Sequence, residues 1–109
     1  MLNRDSDLYK RMTMMRNAFN GNGTIPDLFK PEREGVNAIM DIFDENSSIG
    51  DYEITLILNE LNIVQNSNHY NGSAWFDFKL HLNVLLSQIG YALKFGDENR
   101  ITSITKDNL

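Results

Sequence analysis

Residues 37–61, NAIMDIFDENSSIGDYEITLILNEL, decide how this chain folds. Ile39, Met40 and Phe43 recur at helical spacing, Asp44 to Ser48 break the pattern with polar residues, and Ile54, Ile57, Leu58 and Leu61 resume it. A strand alternation through Ile54, Leu56 and Leu58 fails at Glu60, so the second segment reads as a helix as well. The unit is a helix–loop–helix over about 31–64, bent between Asp44 and Asp51.

Upstream, Pro31 suits a first helical position, Glu32 and Glu34 complement the positive end of the helix dipole, and Val36 extends the apolar stripe. Gly35 either weakens that first turn or lets another backbone approach closely. An earlier helix is expected from about Ser6 to Phe19, with Leu8, Met12, Met15 and Phe19 on one side and Ser6 as its N-cap. Asn20-Gly21-Asn22-Gly23 ends it as a turn, and the absence of a preceding strand and a following GK[ST] argues against a phosphate cradle. Thr24 to Lys30 reads as a loop pinned by Ile25, Leu28 and Phe29.

Downstream, the second helix of the pair runs on to Val64, and Gln65 to Ser73 reads as a polar linker too hydrophilic to bury. The next segment carries two signals. Phe76, Phe78, Leu80, Leu82 and Val84 alternate at period two, as in a strand, while Phe78, Leu82, Leu85, Ile89 and Leu93 make a helical stripe. The apolar run reaches Phe95 with only Gly90 interrupting, far beyond ordinary strand length, so a long helix is preferred. A strand over 75–86 would instead make the domain α+β. The expected fold is therefore mainly α, a compact bundle of three to four helices in one domain over residues 1–96. Residues 97–109 are expected to be a polar C-terminal tail, either a short extended piece or frayed.

At 109 residues and 12.5 kDa the chain holds one core. No window reaches the roughly 18 apolar residues of a membrane span, and the N-terminus lacks a signal-peptide pattern, so a cytoplasmic protein without membrane partners is expected. Lack of cysteine fits that compartment and removes thiolate chemistry and Cys-based zinc sites. A net charge of −5 with scattered Lys and Arg argues against nucleic acid. No GxSxG, HExxH or Walker sequence occurs, and His69 and His81 lack the spacing of a metal pair. The carboxylate pairs Asp44/Glu45 and Asp97/Glu98 have polar neighbours that leave them solvated, unlike a tuned acid–base pair. No catalytic residue is assigned, and the chain is read as not an enzyme.

Phe43 to Glu53 also offers oxygens at Asp44, Asn46 and Ser48, an apolar Ile49, and an acidic residue opening the next helix. This stretch resembles the first loop of penta-EF-hand proteins, the calpain family, in which an Ile, a small residue and an aromatic–acidic pair precede a similar helix. The resemblance covers residues 37–61. It implies calcium held by the side chains of Asn46 and Glu53 and the backbone carbonyls of Phe43 and Ser48. Asn46 stands where the family usually carries Asp, and Thr105 stands where a second loop would place its acidic ligand. The alternative for the same residues is a polar turn between two helices, with Gly50 and Glu53 as capping groups.

With no catalytic signature, the expected function is a non-catalytic protein–protein interaction or regulatory module on a helical, EF-hand-like scaffold, partnered by another protein or a second copy. Met14, Phe29, Tyr70, Trp75, Phe76 and Tyr91 fall outside the core stripes and are the expected contact surface. A short, acidic, Cys-free and Asn-rich chain also suits an inhibitor of a host protein carried by phage or another mobile element, and a weak calcium-binding protein is a third reading. No cofactor other than that calcium is implied.

Overall fold

The computed structural model describes residues 2–21, 30–67 and 72–106. Helix α1 spans Asp7–Asn20, α2 Lys30–Glu45, α3 Asp51–Ser67 and α4 Ser73–Ser87; strands β1 (Tyr91–Phe95) and β2 (Ile101–Lys106) follow as an antiparallel hairpin. The protein is mainly α-helical, as its periodicity predicts. Among the described residues no helix is long and apolar enough to cross a membrane.

Local chemistry fixes the helix starts. The Ser6 hydroxyl accepts the Tyr9 N–H at 3.2 Å, which satisfies one of the orphan donors of α1. At the start of α3 the Glu53 carboxylate accepts the Gly50 N–H at 2.8 Å, the backward half of a capping box. Helix α4 ends at Ser87, where the N–H groups of Gln88, Ile89 and Gly90 tighten into three-residue turns. Gly90 then takes a φ of 89°, a left-handed conformation that suits glycine, and redirects the chain into β1.

The long helix expected to reach Phe95 is therefore two elements, and residues 97–106 of the expected tail are in the fold. Ile101 is buried, and β2 pairs with β1 from Lys106 opposite Tyr91 to Ile101 opposite Phe95. Pairing of this kind satisfies backbone groups that an apolar helical run would have satisfied internally.

Around the core the elements pack in a closed cycle: α1 on α2, α2 on α3, α3 on β2, β2 on β1, β1 on α4 and α4 on α1. The hairpin bridges α3 and α4, with β2 on α3 and β1 on α4. Val36, Ile39, Met40 and Phe43 of α2 meet Ile57 and Leu61 of α3 and Phe78, Leu82, Leu85 and Leu86 of α4 in one continuous core. Three polar side chains, Glu32, Gln65 and Lys79, are buried with them. Gln65 corrects its linker assignment: α3 continues to Ser67, and its side chain docks the hairpin.

Candidate functional site

The bend between α2 and α3 is occupied from within. The Arg4 guanidinium donates through Nε to the Phe43 carbonyl at 3.0 Å and also reaches the Asn46 carbonyl. The Asn46 side-chain amide donates to the Ile42 carbonyl at 2.7 Å, and Glu53 caps α3. Ser48 is exposed. A fixed positive charge thus lies against the carbonyl that the family resemblance assigns to calcium. Beside it, Tyr9 donates to Asp44, and Arg16 bridges Asp41, Asp44 and Asn37, which ties α1 to the end of α2.

Two of the expected contact residues are core residues. Trp75 is 3% exposed and stacks on Phe78 with centroids 5.9 Å apart, and Tyr91 is 6% exposed with its hydroxyl donating to Asp51 at 2.6 Å. Trp75 is covered where α4 meets the Gly35–Val64 junction of α2 and α3, and Tyr91 is covered because the hairpin turns it back onto α3. Phe76 is half-buried, its ring 5.9 Å from the Lys79 ammonium. Met14 is 68% exposed. Phe29, Tyr70 and His69 lie outside the described residues.

What the sequence reading missed is the outer stripe of α4. A period-two alternation wound into a helix makes two apolar faces: Phe78 and Leu82 turn inward, while Phe76, Leu80 and Val84, spaced four apart, turn the other way. Leu80 is 41% exposed and Val84 50%. The alternation that resembles a strand was the signal for this face, legible once the segment is known to be helical.

Leu80 and Val84 line one wall of a groove of about 360 Å³ between α4 and α1; Leu8 and Arg11 line the other. The two helices run antiparallel, because Leu2, just before α1, shares a second cavity with Gln88 and Ile89, just after α4. Asp7 and Asp77 complete the rim, together with His81, whose Nδ1 lies 2.8 Å from the Asp77 carbonyl. Among the described residues the side chains of Asp7 and Arg11 make no ion pair. Met14 follows Arg11 by three positions and extends the same face of α1. Exposed Tyr52 and Ile63 lie on α3, away from this groove, with Asn59 and Glu60 between them.

The groove combines an apolar floor with separated charges of both signs, an arrangement suited to holding a polypeptide surface. Among the described residues no group of three or more His, Asp or Glu side chains is placed to hold a metal ion. Comparison with family models, characterised proteins and solved structures finds no match to this chain.

Proposed function

We propose that this protein is a non-catalytic interaction module that binds a polypeptide through the α1/α4 groove. The observation that carries this reading is α4 itself, apolar on two opposite faces with only one of them covered. Leaving Leu80 41% and Val84 50% exposed forgoes about 1 kcal/mol of burial for each side chain, a term that a docked partner recovers. A helix laid into the groove would contact Leu8, Leu80 and Val84 along its length, with Arg11, Asp7 and Asp77 fixing its register. A mobile-element inhibitor of a host protein is one form that such a module takes.

Capture from the native host with the wild-type protein and with the Leu80→Asp/Val84→Asp variant tests the reading. Both positions are exposed, so the variant keeps the wild-type helical circular dichroism. A bound protein that the wild type retains and the variant loses is the expected result. Identical capture by both proteins would falsify the assignment of the groove.

A further inference from the structure

We infer that the polypeptide seated in the α1/α4 groove is a second copy of this chain, its Arg11 paired with the carboxylates of Asp7 or Asp77 across a twofold axis. The inference rests on the groove being a contact surface and adds the identity of its occupant.

Self-complementarity is the observation that selects this partner. A twofold interface places the same patch on both sides, so each charge must find its opposite within the patch itself. Here one cation, Arg11, lies between two acids, Asp7 and Asp77, around an apolar centre of Leu8, Leu80 and Val84. An axis running along the groove sets α1 of one copy over α4 of the other. Arg11 of one copy then lies over α4 of the other, within about one helical turn of its Asp77, and the contact occurs twice. An axis across the groove sets α1 over α1 in opposite directions, and Arg11 meets Asp7 of the second copy, again twice. The first geometry covers Leu80 and Val84 with Leu8 of the second copy, and the second covers them with α4 of the second copy. Neither Asp7 nor Arg11 is held by an ion pair within its own chain among the described residues, so both side chains are available, whereas the Asp77 carboxylate lies 3.6 Å from Nδ1 of His81 on the same rim. A strongly basic or strongly acidic partner, by contrast, would meet a like charge at one wall of the groove.

Sedimentation equilibrium on the intact protein tests this. The wild type is expected to dimerise at submillimolar concentration, less tightly as salt is raised. Arg11→Glu, which sets acid against acid, weakens self-association at least about tenfold. Asp7→Arg/Asp77→Arg, which sets base against base, does the same, and an equimolar mixture of the two variants associates again. Circular dichroism confirms that each variant is folded. A wild type that stays monomeric at submillimolar concentration overturns the proposal. So does a dimer untouched by Arg11→Glu and Val84→Asp, or a mixture that fails to associate. The broader reading separates cleanly: a monomer that still loses a foreign host protein on Leu80→Asp/Val84→Asp overturns only the second copy, whereas a monomer whose capture ignores those changes overturns both.

Discussion

The Gln65 side-chain amide pairs with the Ile101 peptide on both of its polar atoms: Nε2 donates to the Ile101 carbonyl at 3.1 Å, and Oε1 accepts the Ile101 N–H at 2.6 Å. One amide of α3 thereby does what a neighbouring strand would do at the start of β2. Arg100 strengthens the junction by donating to the Gln65 carbonyl at 2.9 Å. Gln65→Leu keeps the volume and strands both peptide groups in a buried site. Each unmet group costs about 1–3 kcal/mol, so a loss of roughly 2–6 kcal/mol is expected. The urea midpoint should fall with little change in the denaturant slope. A midpoint unchanged by the substitution would show that the hairpin docks without this amide.

Alkaline pH should act on stability in two opposed steps. The Lys79 ammonium donates to the Asn99 carbonyl at 2.6 Å and lies 5.8 Å from the Trp75 ring centroid; burial, aided by the Arg100 charge, brings its pKa down from 10.5 to about 8. Between those values the unfolded chain binds more protons than the folded one, so stability rises with pH across that window. Tyr9 and Tyr91 act in reverse. Burial foremost, then the hydrogen bond to Asp44, raises the pKa of Tyr9, and the hydrogen bond to Asp51 foremost raises that of Tyr91. Both keep their protons folded and lose them near pH 10 unfolded, so stability falls above about pH 10. Urea titrations at successive pH values should show a rise from about pH 8 and a turnover near 10. Lys79→Met should abolish the rise and leave the fall.

The helices were legible where burial follows one period. In α2 and α3, Val36, Ile39, Phe43, Ile57 and Leu61 repeat every three or four residues and all reach the core. The hairpin was not legible, because its evidence is non-local. Tyr91, Leu93 and Ile101 are buried only once β2 returns onto β1 and Gln65 reaches across from α3, and no window of sequence contains all these partners. Gly90 marked the break, but a glycine inside an apolar run is as compatible with a weakened helix as with the left-handed corner it makes. The same non-local packing explains why Trp75, set against the Gly35–Val64 junction, and Tyr91, turned back onto α3 by the hairpin, look surplus in sequence and prove to be core. The groove was half legible: the alternation Phe76 to Val84 was visible, but its division into an inner and an outer stripe needs the helical state first.

Calcium should find the α2–α3 bend already filled. Arg4 holds the Phe43 and Asn46 carbonyls, and Glu53 serves the Gly50 N–H. A cation would have to displace a guanidinium whose hydrogen bonds contribute about 1.5–3 kcal/mol. Calorimetric titration with millimolar calcium is expected to give no heat. Glu53→Gln, which preserves a capping acceptor, should cost little, while Glu53→Ala should lower stability by about 1 kcal/mol with or without calcium. Calcium-dependent protection against unfolding, lost in Glu53→Gln, is the outcome that would support the EF-hand reading.

Gly35 and Val64 make the tightest contact between α2 and α3 that involves a glycine. A Cβ at position 35 would lie 2.3 Å from Val64 Cγ2 and 3.8 Å from the Trp75 ring. Helix propensity favours Gly35→Ala by about 1 kcal/mol, but the added methyl meets a β-branched side chain with little rotamer freedom. Overpacking of this kind costs about 1–3 kcal/mol, so the substitution should be net destabilising or neutral in spite of propensity. Val64→Ala alone removes two buried methyl groups and should cost about 2 kcal/mol. Combined, the new methyl at 35 occupies space that Val64 vacates, so the pair should be more stable than the sum of its parts by at least about 1 kcal/mol. Chemical denaturation of the four proteins in this cycle decides the point, and strict additivity would mean that α2 and α3 separate enough to admit the methyl without Val64 yielding.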